Sequence, residues 1–304
     1  MRAHHYFTSA LMASLLLATS CSKTSSQSKF ATPNDAAKAL LQAFKTDDTQ
    51  QIKAMFGREA VEEMASGDAV SDKQDREAIA VAIEQSWRWA PLGSDRQELI
   101  VGEEQWPFPI PLAKSGDQWV FDSQAGKHEV IARRIGRNEL GVIELCHAYV
   151  DWQKEYAALP HDGKPAGLYA QHLRSTPGHQ DGLYWKTNPD EQPSPLGDLA
   201  AQAANEGYAD NRAEGSPFWG YRFRILTEQG ASAPGGKKSY VVNGDMPGGF
   251  ALVASPATYG SSGMMTFVVN QDGSVYQKDL GRDTSSQAAK ITEYNPDSSW
   301  TRVQ

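Results

Sequence analysis

Cysteine is scarce in this chain of 304 residues, which contains only Cys21 and Cys146. A disulfide needs two thiols within reach of each other. Cys21 has another predicted use, described below, so Cys146 is left without a partner and we expect no disulfide in the mature chain. Cys146 lies among apolar residues at helical spacing, which predicts a buried, inert thiol rather than a reactive one.

The sequence also lacks any apolar run of the ~20 residues that a permanent transmembrane helix needs. Residues 10–18 form a shorter run, which follows Arg2 and precedes two small residues. This pattern predicts a signal peptide over residues 1–20 that is cleaved on export. The ending Leu-Ala-Thr-Ser-Cys resembles a lipobox, so we predict that Cys21 becomes the acylated first residue. A plain secretory signal followed by an incidental cysteine is the alternative.

The segment after the cleavage site is polar. Residues 21–29 contain too few apolar side chains to fold and are predicted to form a flexible, lipidated tether. Ser22 rather than aspartate follows the cysteine, which favours the outer membrane in a Gram-negative cell. We therefore expect a lipid-anchored protein of the cell envelope that faces the periplasm. The net charge of −8 argues against a nucleic-acid partner, because an acidic surface repels phosphates.

The motifs of several enzyme classes are missing. The chain has no His-Glu-x-x-His zinc motif, no Gly-x-Ser-x-Gly nucleophile elbow and no glycine loop followed by a phosphate-binding lysine. His161, His172 and His179 share one loop-rich region, which leaves a metal site there as an alternative to packing roles. We predict no catalytic residue, no metal and no cofactor.

Residues 30–135 are predicted to form an N-terminal α+β domain. Thr32, followed by proline and by Asp35, has the pattern of a capped helix start. Apolar periodicity and turn residues define the other elements of this domain. The predicted elements are helices that open at Thr32, near 52–55 and over 75–87, a strand at 99–101 and a hairpin turn at 115–117.

Proline occupies every second position within residues 106–112, Trp-Pro-Phe-Pro-Ile-Pro-Leu. In an extended chain, alternate side chains share one face, and these prolines would remove hydrogen-bond donors from one edge. The pattern predicts an edge strand in which Trp106 and Phe108 are buried. An exposed polyproline ligand for an aromatic groove is the alternative.

Residues 136–304 are predicted to form a C-terminal α+β domain. A long helix from about Arg137 to Leu159 carries an apolar stripe that includes Leu140 and Cys146. After a loop-rich region the period changes to two, which predicts an antiparallel meander packed on the long helix. The predicted strands lie at 221–225, 240–242, 250–254, 265–269 and 274–277.

Seven short stretches carry a resemblance to a known family. They are residues 35–37, 106–112, 134–139, 181–185, 248–252, 265–270 and 275–281. Together they closely resemble the bacterial family called domain of unknown function 2950, over nearly the whole mature chain. That family has no established activity, so the resemblance implies no catalytic residue.

A looser resemblance concerns shape. The long helix and the stretches that follow it are similar to the globular part of type IV pilins and pseudopilins. No apolar prepilin helix precedes Leu140, so the resemblance implies a pilin-like domain without the element that polymerises. We therefore expect a monomer or a small assembly. The N-terminal domain is similar in outline to a cystatin-like cone.

These observations favour a non-enzymatic envelope lipoprotein that binds another protein or assists assembly. Tyr184, Trp185 and Trp219 lie in segments rich in glycine and proline, where aromatic side chains can contact a partner. They would equally fit the seam between the two domains. Two other functions stay open, a carrier of a small apolar or glycan ligand and a hydrolase with an unfamiliar site. A cavity with apolar walls and a few convergent polar groups would favour the carrier.

Overall fold

The computed structural model describes residues 27–188, 190–209 and 215–303. The predicted signal peptide, Cys21 and most of the predicted tether lie outside the described residues. Within the described part, seven helices combine with mainly antiparallel sheets, which confirms the α+β class. Two large hydrophobic clusters form, one in each half of the chain. No described helix is both long enough and apolar enough to cross a membrane.

The N-terminal half consists of four helices and a five-stranded antiparallel sheet in the described residues. The helices are α1 (Pro33–Lys45), α2 (Thr49–Phe56), α3 (Arg58–Met64) and α4 (Ala69–Gln85). The strands are β1 (Trp87–Pro91), β2 (Arg96–Val101), β3 (Trp106–Pro107), β4 (Leu112–Ser115) and β5 (Gln118–Phe121). Strands β1, β2, β4 and β5 are neighbours in that order, and β3 pairs with β2.

Helix α1 begins where the sequence predicts. The Thr32 side chain accepts a hydrogen bond from the Asp35 backbone N–H, and the Asp35 carboxylate accepts one from the Thr32 backbone, so both halves of a capping box are present. Just before this helix, the Gln27 side chain donates to the Met55 and Phe121 carbonyls, at 2.6 Å each. The last residues of the predicted tether are therefore bound to the folded part.

The predicted edge strand over residues 106–112 is present only at its start, where Trp106 and Pro107 pair with β2 alone. Strand β3 ends at Pro107, and the chain leaves the sheet until β4, whose Leu112 pairs with both Gln97 and Phe121. Prolines at alternate positions remove the donors that a continuous ladder would need. Phe108 is buried as predicted, but Trp106 is 37% exposed.

Helix α5 (Ser123–Ala157) begins at Ser123, well before the predicted start near Arg137. It is capped by the Asp122 side chain, which accepts a hydrogen bond from the Ala125 N–H at 3.1 Å. The sequence pattern around Gly126 does not favour a helix, because glycine normally destabilises a helix interior. Here a Cβ on Gly126 would lie 2.6 Å from the Cα of Ile110, so the close approach of the proline segment requires glycine. One continuous helix therefore crosses the predicted boundary between residues 135 and 136.

Two other helix predictions need correction. Helix α4 begins after Asp68, whose carboxylate caps it, and Trp87 belongs to β1 rather than to the helix. On α5, Leu140 is 65% exposed, so it is not part of the buried stripe. The face that meets the sheet is rotated relative to the prediction. It contains Val142, Cys146, Tyr149, Val150, Gln153 and Tyr156.

The C-terminal half packs α5 against a second five-stranded sheet. Its other elements in the described residues are β6 (His172–Arg174), β7 (Gly182–Tyr184), α6 (Gly197–Asn205), β8 (Tyr221–Leu226), β9 (Glu228–Gln229), β10 (Lys238–Ser239), β11 (Ala251–Pro256), β12 (Met265–Asn270), β13 (Tyr276–Asp279), α7 (Thr284–Ala289) and β14 (Thr301–Arg302). The sheet order is β14-β13-β12-β11-β8, all antiparallel, which confirms the meander.

The predicted strand at 240–242 is absent from this sheet. A tight turn through Asn243 and Gly244, both with positive φ, follows at once and bends the chain back on itself. Tyr240 is nevertheless fully buried, and its hydroxyl donates to the Gln229 side chain at 2.9 Å. Cys146 is also fully buried, as predicted, and burial raises the pKa of its thiol to about 12.

Candidate functional site

The N-terminal half contains a partly open, largely apolar cavity with a volume of about 650 Å³. Its walls come from α1, α2, α3, α4, α5 and the segment from β2 through the proline stretch. The apolar wall residues include Phe44, Ile52, Phe56, Val61, Met64, Ile79, Ala82, Val101, Phe108, Ile110 and Val130. This volume lies within the range of about 300–1,000 Å³ that is typical of small-molecule sites.

Aromatic rings form part of the cavity wall. The ring centroids of Phe44, Phe56 and Phe108 lie 6.2–6.4 Å from one another. Phe108 holds its place because its backbone N–H donates to the Leu99 carbonyl at 2.7 Å, at the point where the proline segment leaves the sheet. The broken strand therefore presents an aromatic side chain to the cavity rather than to a continuous sheet face.

Two ion pairs join α4 to α5 beside the cavity. Arg137 binds the Asp75 carboxylate with both Nη atoms, at 2.7 and 2.8 Å. One helical turn earlier on each helix, Arg134 Nη1 lies 3.4 Å from an Asp72 oxygen. All four side chains line the cavity. Their spacing of three residues on each helix places both pairs on facing sides of α4 and α5.

Arg134 also ties the cavity wall to the C-terminal half. Its Nε donates to the Ser261 carbonyl at 2.9 Å, its Nη2 to the Ser261 hydroxyl at 3.0 Å, and its Nη1 to the Met64 carbonyl. Desolvation by burial lowers the pKa of this guanidinium, and the nearby carboxylates of Asp72 and Asp75 act against that shift. Arg134 is thus a buried side chain whose N–H groups bind acceptors in both halves of the protein.

Trp106 and Arg133 stand at the rim. The Arg133 guanidinium lies 4.7 Å from the Trp106 ring centroid, donates to the Pro107 carbonyl at 2.6 Å and pairs with Glu129 at 2.7 Å. This stack holds a large, partly exposed aromatic side chain beside an apolar cavity. Glu103 and Glu104, in the turn between β2 and β3, are exposed rim residues.

The aromatic residues predicted to bind a partner are not brought together. Trp185 is buried in the C-terminal cluster against His161, with ring centroids 5.4 Å apart. Tyr184 is half-buried beneath the Arg174 guanidinium and lines a second cleft, of about 450 Å³. Trp219 lies where the two halves meet, and its Nε1 donates to Glu206 at 2.9 Å.

The seam between the halves is polar around Trp219. The buried Asp68 carboxylate caps α4 and also accepts hydrogen bonds from the Tyr208 hydroxyl at 2.8 Å and the Gly220 N–H at 3.3 Å. The Asn138 side chain donates to the Ser262 carbonyl at 3.0 Å. Trp219 therefore occupies the seam, the alternative position considered for these aromatics.

The loop histidines do not converge. His161 is buried, stacks on Tyr156 at 4.0 Å, and contacts the Tyr156 carbonyl and the Gln180 side chain through its two ring nitrogens. His179 is exposed and lies 3.4 Å from Asp162, and His172 is exposed on β6. Among the described residues, no group of three or more histidine, cysteine or acidic side chains is placed to hold a metal ion.

Sequence reasoning missed the cavity residues. A usable signal was present, because acidic residues at 72 and 75 have the same spacing of three as the arginines at 134 and 137. Residue 72, however, lies before the predicted start of its helix. The arginine at 134 lies before the predicted start of the long helix. That these two helices face each other could therefore not be predicted from the sequence.

These features define an α+β protein whose N-terminal half contains an apolar cavity with a charged rim. The chain belongs to the family described as protein of unknown function (DUF2950), whose model matches residues 27–303. This match confirms the resemblance noted from the sequence. No curated protein matches the chain. No solved structure matches it either.

Proposed function

We propose that this protein binds an uncharged, apolar small molecule in the N-terminal cavity and acts as a carrier in the cell envelope. The observation that supports the proposal is the cavity of about 650 Å³ walled by aromatic and aliphatic side chains. Transfer of apolar surface from water into such walls stabilises a complex by roughly 25 cal/mol per Å². A carrier was one of the alternatives from the sequence, and an apolar cavity is the feature that distinguishes it.

The charges around the cavity favour an uncharged ligand over an anionic one. The cavity-lining Arg76, Arg133, Arg134 and Arg137 each pair with a carboxylate of the protein itself. An anionic ligand would have to displace one of these partners and leave a carboxylate unpaired, which costs free energy. Apolar contact with the wall requires no such exchange.

Binding of N-phenyl-1-naphthylamine, an uncharged apolar fluorophore, tests this function. We expect its emission to increase on mixing with the wild-type protein, because the probe leaves water. Ala78 is an exposed residue at the margin of the cavity on α4, so Ala78→Trp should place an indole across the opening and weaken probe binding. Val81 lies on the same helix, is 55% exposed and does not line the cavity, so Val81→Trp is the matched control. Equal binding by both variants would contradict the proposal.

We further propose that the carrier is an exported lipoprotein acylated on Cys21. The support is the apolar run at residues 10–18, followed by small residues and the cysteine. Replacing the cysteine, Cys21→Ser, should abolish acylation and shift the protein from membranes to a soluble or uncleaved form. Fractionation of cells that express each form measures this. Membrane partition equal to that of the wild type would refute lipid anchoring at Cys21.

The finer fold assignments are part of the same proposal. A long helix followed by an antiparallel meander supports a pilin-like arrangement of the C-terminal half, and a helix-backed sheet around a cavity supports a cystatin-like cone in the N-terminal half. The C-terminal half should not form filaments, because the apolar stripe of α5 is used against its own sheet. A protein partner in the envelope stays a prediction.

A further inference from the structure

Helices α4 and α5 border the cavity with few close backbone approaches to each other. Long side chains bridge them instead. The two bridges are the ion pairs Arg134–Asp72 and Arg137–Asp75, one helical turn apart. The separation of these helices beside the cavity therefore depends on side-chain contacts that can open without disturbing either helix.

The two bridges differ sharply in environment. The Arg134 side chain is 6% exposed and that of Asp72 is 19% exposed, and Arg134 has further bonds to Met64 and Ser261. The Arg137 side chain is 56% exposed and that of Asp75 is 32% exposed. An exposed pair is weak and is screened by salt, whereas a buried one with several additional partners is held in place. The inner bridge, Arg134–Asp72, is therefore held in place, and the outer bridge, Arg137–Asp75, is free to open.

We propose that the Arg137–Asp75 pair is a latch that holds α4 and α5 together beside the opening, and that the cavity exchanges its ligand when this pair opens. The inference rests on the proposed function. It assigns the route of entry to the gap between the two helices, on the side of the outer pair. The Arg137–Asp75 pair must be weak to act in this way, since a strong ion pair would open too rarely to release the ligand.

A latch changes rates and leaves affinity almost unchanged. Asp75→Asn keeps the shape of the side chain and removes its charge. We expect this variant to raise the association and dissociation rates of N-phenyl-1-naphthylamine about two- to fivefold each, whereas the loss of a ligand contact would raise the dissociation rate alone. A factor of two to five corresponds to about 0.4–1 kcal/mol, the range measured for exposed ion pairs. Sodium chloride at about 0.5 M should accelerate the wild type to the same degree and leave the variant unaffected.

A second measurement needs no ligand. Val101 is fully buried in the cavity wall, so the thiol of Val101→Cys is reached only through the opening. With Cys21 replaced by serine, labelling by uncharged N-ethylmaleimide at this position, read by peptide mass spectrometry, should accelerate two- to fivefold when Asp75→Asn is added. If Val101→Cys does not fold, the half-buried wall residue Ile79 provides the position instead.

The matched control is another ion pair between α5 and the preceding helices. Lys127 lies 2.6 Å from Glu63, and neither residue lines the cavity, so Glu63→Gln should leave the labelling rate unchanged. Equal rates with and without Asp75→Asn, or an equal effect of Glu63→Gln, would overturn the latch. Absence of probe binding together with a latch-dependent labelling rate would reject the carrier function and keep the gate.

Discussion

The two hydrophobic clusters of this protein differ in how completely neighbouring protein atoms surround their apolar side chains. In the C-terminal cluster, α5 and the sheet pack directly, and Tyr221, Phe250 and Phe267 are fully buried, while the smaller second cleft borders the cluster only at its margin, beside Tyr149. In the N-terminal cluster, Phe44, Phe56 and Phe108 contact one another on one side and the cavity on the other. A protein interior is normally close-packed, so an apolar wall that faces a cavity is the part of a fold that a ligand can complete. Under the proposed function, the C-terminal cluster is the scaffold and the N-terminal cluster is the part that binds the ligand.

Replacing one buried phenylalanine by alanine in each cluster should give the largest effect and test the difference between the clusters most clearly. Phe267→Ala removes a ring that neighbours surround, so we expect a loss of about 4–5 kcal/mol in the free energy of unfolding. Phe108→Ala should cost less, about 3 kcal/mol, because part of that ring borders the cavity. Urea unfolding of both variants gives the values. Probe binding should survive Phe267→Ala in the folded fraction and weaken with Phe108→Ala, and the reverse order would contradict the division of roles.

The next largest expected effect concerns Arg134, which contacts both halves of the protein. Arg134→Met should lower the free energy of unfolding by about 3 kcal/mol, because it leaves the Asp72 carboxylate and the Ser261 and Met64 carbonyls without their donor. Arg133→Met is the neighbouring control, since its guanidinium contacts only the N-terminal half. We expect a cost of about 1 kcal/mol there. Similar costs for the two arginines would show that Arg134 does not couple the halves.

The smallest expected effect concerns alkaline pH and sharpens the description of the C-terminal cluster. Burial raises the pKa values of Cys146, Tyr156 and Tyr240 to about 12 each. The native state holds these protons to a higher pH than the unfolded chain does. Their contribution to stability is therefore complete below the unfolded pKa of the thiol, about 8.5, and is lost as pH rises towards 12.

Between about pH 8.5 and 9 the thiol gives the first part of this loss, and the buried tyrosines add to it as the pH approaches the unfolded tyrosine pKa near 10. The thiol alone should lower the free energy of unfolding by roughly 1–2 kcal/mol between about pH 8.5 and 10. Urea unfolding at several pH values measures the slope, and Cys146→Ala should make it shallower. Cys146 itself should resist N-ethylmaleimide until the protein is denatured. An unchanged slope in Cys146→Ala, or rapid native labelling, would contradict the burial of this thiol.

Local signals in the sequence were sufficient for part of the fold. The capping box at Thr32 and Asp35 involves residues three apart, and it predicts the start of α1 correctly. Alternation over 221–225 likewise predicts β8, because side chains of a strand change face at every residue. The run of apolar and β-branched residues at 265–269 predicts β12, which is buried over nearly its whole length. The burial of Cys146 follows from its place on a helical stripe.

Elements that depend on distant contacts were predicted poorly. The start of α5 depends on Gly126, which meets the backbone of Ile110 across space. The exposure of Leu140 depends on the exact rotation of that helix against its sheet. The cavity is the extreme case, since its walls come from five helices and the segment from β2 to Ile110. No stretch of sequence contains enough of it to be recognised.

The most direct test of the account is a crystal structure of the protein soaked with an uncharged brominated aromatic compound. Anomalous scattering locates bromine independently of the rest of the density. We predict a bromine peak within contact distance of Phe56, Ile79 and Phe108, with the Arg134–Asp72 pair intact. A peak in the cleft beside Tyr184 with none in the N-terminal cavity, or no peak at saturating compound, would contradict it.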